Sequence, residues 1–160
     1  MSIRYNADEV FEMAEQIERN GGKFYRRAVE LASDASTGGM LLELAGMEDD
    51  HLKTFAGMRK ELSAEERKSV VFDPDDELSL YLRAMADQHV FDVKGDPSAR
   101  LSAGQAVDDV LKIAIGLEKD SIVFYLGLKE LVPERFGKER LDGIIQEEFG
   151  HISTLSEKMT

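Results

Sequence analysis

The sequence predicts an all-α protein: four long helices packed as two antiparallel hairpins, with a long helical crossover between the second helix and the third. Three observations carry this expectation. The 160 residues contain only three prolines, Pro74, Pro97 and Pro133, and the stretches between them are good helix formers. Four segments repeat apolar residues at spacings of three and four, the period of one helix face. The connections run short, long, short, which pairs neighbours within each hairpin and separates the hairpins.

The first helix is expected from about Asn6 to Ala32, with Phe11, Ala14, Gly21, Phe24, Ala28 and Leu31 on its inner face. The second follows Asp34-Ala35-Ser36-Thr37 and ends near Leu62, striped by Leu41, Leu44, Leu52, Phe55 and Met58. The third is expected from Ser102, where Ser-Ala-Gly-Gln reads as a capping box. It carries Val107, Val110, Leu111, Ala114, Ile122 and Leu126 and ends near Pro133. The fourth runs from about Glu134, with Leu141, Ile144, Ile152 and Leu155. Each exceeds twenty residues, or ~35–40 Å at about 1.5 Å per residue. The crossover spans about forty residues, 63–101, and a connection of that length carries structure of its own. Asp75 to Val93 reads as that structure, a helix with Leu78, Leu82, Met85 and Ala86 on one side. The expected organisation is one domain over 1–160: a hairpin at 6–62, the crossover at 63–101 and a second hairpin at 102–158.

Composition narrows the function. A net charge of −12 opposes nucleic-acid binding, which rests on Lys and Arg meeting phosphates. No apolar run approaches the ~20 residues of a membrane span, and Met1–Asn6 lacks the apolar core of a signal peptide, so a cytoplasmic protein away from membranes is expected. The absence of cysteine excludes disulfides, thiolate-held zinc, iron–sulfur clusters and thiol catalysis within these residues. A metal here must be held by Glu, Asp and His.

Such residues recur in a register of one hundred. Glu18, Phe24, Tyr25, Glu48 and His51 in the first hairpin match Glu118, Phe124, Tyr125, Glu148 and His151 in the second. Each acid interrupts an apolar stripe: Glu18 lies between Ala14 and Gly21, Glu48 between Leu44 and Leu52. Glu118 lies between Ala114 and Ile122, and Glu148 between Ile144 and Ile152. Four carboxylates in one core repel one another and need countercharge. In Glu-x-x-His, positions i and i+3 share a helix face, so one carboxylate and one imidazole reach the same ion. Two such pairs and one further Glu from each other helix make four carboxylates and two histidines, the set that holds two metals in a bundle core. Oxygen and imidazole donors suit iron or manganese. A bundle with a buried polar network and no metal is the competing reading.

On these six positions the chain resembles the rubrerythrin family of ferritin-like di-iron carboxylate proteins. The resemblance implies two iron ions per chain, with manganese or a mixed pair as alternatives, held by Glu18, Glu48, His51, Glu118, Glu148 and His151. It implies Glu48 and Glu148 as bridges and Tyr25 beside the metals, with Tyr125 as its repeat partner. It further implies reduction of hydrogen peroxide or dioxygen, or ferroxidase and iron-handling activity, in a homodimer or higher homo-oligomer. Two departures stand out. Rubrerythrins carry another Glu three residues after the third-helix ligand, where this chain has Ser121. They also carry a four-cysteine iron domain that delivers electrons; without cysteine, a separate donor protein is expected.

Other residues have plainer readings. Glu147 adjoins Glu148, but the i, i+3 geometry and the repeat select Glu148 as ligand. His89 falls in the crossover and is read as a surface or packing residue. The seven methionines read as core fillers or surface residues, and Asp49, Asp50, Asp75, Asp76 and Glu77 as solvated acids.

Overall fold

The computed structural model describes residues 5–68, 75, 77, 80–82, 84, 96–136 and 138–159. Four long helices dominate: α1 (Ala7–Val29), α2 (Ala35–Glu61), α4 (Val107–Leu131) and α5 (Glu139–Lys158). Between α2 and α4 lie a short helix, α3 (Ala64–Lys68), and a 3-10 turn at Pro97–Arg100; another 3-10 turn, Glu134–Phe136, precedes α5.

Helix starts follow local chemistry. Asn6 accepts the Glu9 backbone N–H at 2.9 Å while Glu9 accepts that of Asn6 at 2.8 Å, a reciprocal cap. Asp34 accepts the Thr37 N–H at 2.8 Å and opens α2. The expected start of the third long helix is corrected. Ser102–Gln105 closes a turn, with Gly104 at φ 79°, and α4 begins five residues later at Val107. Only half of a capping box forms there: Ser102 N–H donates to Gln105 Oε1 at 3.1 Å, without the return bond. The fourth helix likewise starts at Glu139 rather than Glu134, because a 3-10 turn follows Pro133.

Polar pairs define the helix directions. Arg59 near the end of α2 holds Asp8 at the start of α1, at 3.0 and 2.8 Å. Lys129 near the end of α4 holds Asp142 at the start of α5. Both hairpins are therefore antiparallel. Tyr25 meets Glu118 and Tyr125 meets Glu18, so α1 and α4 also run antiparallel. Arg140 meets Glu61 and Lys158 meets Ser36, which makes α2 and α5 antiparallel as well. By elimination α2 and α4 are parallel and diagonal. A chain leaving α2 must climb the full bundle before α4 can begin, which is the physical reason for the long crossover.

Five described residues inside the expected crossover helix, Glu77, Leu80, Tyr81, Leu82 and Ala84, are helical, and Leu82 is buried against the core. Leu78, Met85, Ala86 and His89 lie outside the described residues. Asp96, before the Pro97 turn, pairs with Lys23 and ties the end of the crossover to α1.

The core runs along the bundle axis. Phe11, Phe24, Phe55, Leu111, Leu128 and Leu141 are almost fully buried, each worth about 1.5–3 kcal/mol relative to exposure. One expected stripe position fails: Leu126 is 49 % exposed. Among the described residues, no helix is long and apolar enough to cross a membrane.

Candidate metal centre

All six candidate ligands converge at mid-bundle, and none is more than 4 % exposed. Two overlapping groups form. Glu18 and His51 share one with Glu48 and Glu148; Glu118 and His151 share the other with the same two acids. Within each group the nearest donor atoms lie within 4.8 Å of one another. Glu48 and Glu148 thus stand between two positions, while each remaining Glu and His faces one. Helical phase produces this: the i, i+3 pairs Glu48/His51 and Glu148/His151 project inward from α2 and α5, and α1 and α4 supply one acid each.

Both histidines turn Nδ1 inward. His51 Nδ1 lies 3.5 Å from Glu18 and 3.2 Å from Glu148. His151 Nδ1 lies 3.3 Å from Glu48, 3.3 Å from Glu118 and 2.9 Å from Glu148. The rings stack with centroids 5.7 Å apart and planes 19° apart.

Each tyrosine reaches across to the other hairpin. The Tyr25 hydroxyl donates to Glu118 Oε1, and the Tyr125 hydroxyl donates to Glu18 Oε1. These crossed bonds hold one oxygen of each non-shared acid, and the other oxygen of Glu18, Oε2, is buried without a hydrogen-bond partner. Phe24 and Phe124 pack edge-on against their neighbouring tyrosines, and Phe55 lies 4.9 Å from Tyr125.

The donor set fits a metal pair. Glu18 Oε2, Glu48 Oε1, both Glu148 oxygens and both histidine Nδ1 atoms are buried without a hydrogen-bond partner. Buried polar atoms are ordinarily satisfied, and these orphans face one another. No Lys or Arg among the described residues pairs with the four acids. Buried Glu15 shows the contrast: Arg19 holds it at 3.0 Å and Arg59 approaches at 3.6 Å.

Without metal, protons supply the missing positive charge. Burial first, then neighbouring acids, push Glu18 far above the usual carboxylate range. The same two causes raise Glu48 to about 7 and Glu118 to about 8. Burial opposes charge on the histidines, but their carboxylate neighbours prevail and raise His51 to about 11 and His151 to about 12. Burial would raise Glu148 too; the His151 and His51 imidazoles facing it outweigh that and bring it to about 2. Burial, reinforced by the acids, pushes both tyrosines well above their ordinary value. A cation held by the cluster would have to displace these protons.

Three features lie beyond the sequence reading. Gly21 gives Glu48 its room: a Cβ there would lie 2.5 Å from Glu48 Oε2. Its repeat partner Ser121 turns its hydroxyl back to the Leu117 carbonyl at 3.1 Å and adds no oxygen to the cluster. Glu147 lies outside the cluster, but it meets His51 Nε2 at 2.6 Å. The one sequence signal for these is a break in the repeat, Gly21 against Ser121 and Met47 against Glu147.

No family model matches the chain, and no curated protein matches it. Among solved structures, a crystal structure from Thermotoga maritima matches with TM-score 0.75 and 28 % sequence identity, over 96 % of this chain and 94 % of that one. It is described as a candidate ferritin-like diiron-carboxylate protein. The fold is ferritin-like. The match and the buried Glu/His cluster together support a di-iron site in this ferritin-like bundle.

Proposed function

We propose that the chain is a non-haem di-iron oxidoreductase that binds two iron ions and reduces hydrogen peroxide or dioxygen. The observation that carries this reading is the pair of overlapping donor groups sharing Glu48 and Glu148, with their unpartnered oxygens and imidazole nitrogens turned inward. Glu18 and His51 would hold one ion, Glu118 and His151 the other, and Glu48 and Glu148 would serve both.

A bound iron pair supplies the two electrons that reduce peroxide, together with two protons, to two waters. The chain's residues set the conditions. With two oxygens each, the carboxylates could offer one or both to a bound ion as its oxidation state changed. The tyrosine hydroxyls hold a proton at Glu18 Oε1 and Glu118 Oε1 and keep those acids oriented. The aromatic wall of Phe24, Phe55 and Phe124 keeps bulk water from the centre. Electrons come from a separate donor protein. The assembly is a homodimer or larger homo-oligomer in the cytoplasm.

Rapid mixing of the Fe(II)-loaded protein with peroxide, and separately with dioxygen, tests the proposal. The bound iron should be oxidised faster than free Fe(II) by at least one of them; equal rates with both overturn it. One observation favours a second reading, iron oxidation for storage or transfer. Ser121 spends its hydroxyl within α4, so the centre lacks the further carboxylate of rubrerythrins. Uptake of iron well beyond two ions per chain, measured together with particle mass, selects that reading.

A further inference from the structure

We infer that Glu147 acts through His51 as a positioning residue and makes the two metal positions unequal, so that the Glu18/His51 position binds a divalent cation more tightly and fills first. The inference rests on the di-metal reading above. A cation at His51 Nδ1 leaves the ring proton on Nε2, where it is donated to Glu147 Oε2 across 2.6 Å. An outer carboxylate of this kind orients the ring and raises the basicity of its ligating nitrogen. The imidazole lies between Glu147 and the cluster, so Glu147 works through the ring and not as a ligand.

His151 has no such support. Its Nδ1 faces three acids, and its Nε2 is buried with no hydrogen-bond partner among the described residues. The repeat puts Met47 where Glu147 stands, and a thioether is only a weak acceptor. Access reinforces the difference. A solvent-open pocket of about 430 Å³ lies between α2 and α5, lined in part by Glu147, Asp50 and His51. Of the six candidate ligands, His51 alone lines it.

The test is anaerobic titration of the metal-free full chain with Co(II), followed by visible absorption and calorimetry. The unaltered protein should show two resolved binding steps. Glu147→Gln should weaken the first by about 10–100-fold and leave the second in place, so the steps merge. Met47→Glu should strengthen the second toward the first. Asp50→Asn removes a charge from the same pocket; the Asp50 side chain pairs with Lys53 and makes no hydrogen bond to His51, and both steps should stay. In proton spectra of the Co(II) form, Glu147→Gln should move one of the two exchangeable imidazole N–H signals and not the other. Equal weakening of both steps by Glu147→Gln, or an Asp50→Asn effect of the same size, overturns the inference. Failure of the unaltered chain to bind Co(II) at all overturns the di-metal reading beneath it.

Discussion

The two hairpins agree inside and differ outside. Toward the axis, Glu18, Phe24, Tyr25, Glu48, His51 and Phe55 find their counterparts at Glu118, Phe124, Tyr125, Glu148, His151 and Leu155, all buried. On the outer face the chemistry is exchanged. The first hairpin carries Lys23, paired with Asp96, and Arg26, paired with Asp49. The same positions of the second carry Val123, Leu126 and Phe149, which are 44 %, 49 % and 48 % exposed. The interior brings two matched donor groups to one centre that share Glu48 and Glu148, so a change on one side reaches both. The exterior meets surroundings that need not be symmetric.

The largest expected effect tests the inner symmetry. His51→Ala and His151→Ala should each leave at most one tightly bound iron per chain, and the double variant none. Elemental analysis after loading and desalting measures this; a double variant that keeps both ions would sink the paired arrangement. Next comes the close approach at Gly21. Gly21→Ala puts a methyl group into the space of Glu48 Oε2 and should weaken metal binding. Its helix gains up to about 1 kcal/mol of intrinsic propensity, so metal-free stability should hold or rise in denaturant. Ser121→Ala removes a buried bond confined to its own helix and should change stability by no more than about 1.5 kcal/mol.

The crossed tyrosines should behave alike. Tyr25→Phe and Tyr125→Phe each strip a buried carboxylate of its donor and should cost about 1–3 kcal/mol in urea unfolding. Strongly unequal losses would show that the brace is not symmetric. The outer difference is sharpened by making the second hairpin copy the first. Leu126→Arg with Phe149→Asp imports the Arg26–Asp49 pair; if this face is the contact in the proposed homo-oligomer, sedimentation should show smaller particles with metal content unchanged.

The smallest effect concerns Asp8. Its bond to Arg59, helped by Arg67, holds its carboxyl below the usual range. A lowered folded-state value stabilises above the ordinary carboxyl pKa, and that contribution disappears as pH falls through the lowered value. The pair is partly solvated, so it is worth at most about 1 kcal/mol. Asp8→Asn should remove that increment at neutral pH and flatten the acid limb of the stability curve. Asp108→Asn should do less, because the repeat partner of Arg59 is Met159.

The bundle and the convergence of its centre were legible in the sequence because both depend on helical phase. Carboxylates in an apolar stripe at matched depth have nowhere else to point. Element ends were less legible. Ser102–Gln105 has the letters of a cap, yet it forms a turn whose Gly104 adopts positive φ, and the helix waits for Val107. Leu126 has the spacing of a core residue but sits at the flank of the stripe. Ligand geometry selects Glu148 over Glu147; the contact of Glu147 with His51 depends on how α5 is set against α2, which periodicity within one helix cannot show.

The parallel course of α2 and α4 also bears on the order in which the molecule forms. Contacts within a hairpin join residues near in sequence, such as Arg26 and Asp49, 23 apart. The bonds that complete the centre join residues 93 and 107 apart, Tyr25 to Glu118 and Tyr125 to Glu18. Loop-closure entropy delays such distant pairings until local structure exists. The hairpins are therefore expected to form first, with their acids still in water, and those acids would lose their hydration when the halves dock. Docking is thus the step at which a cation held by the centre would favour the folded chain, by removing the cost of burying those acids.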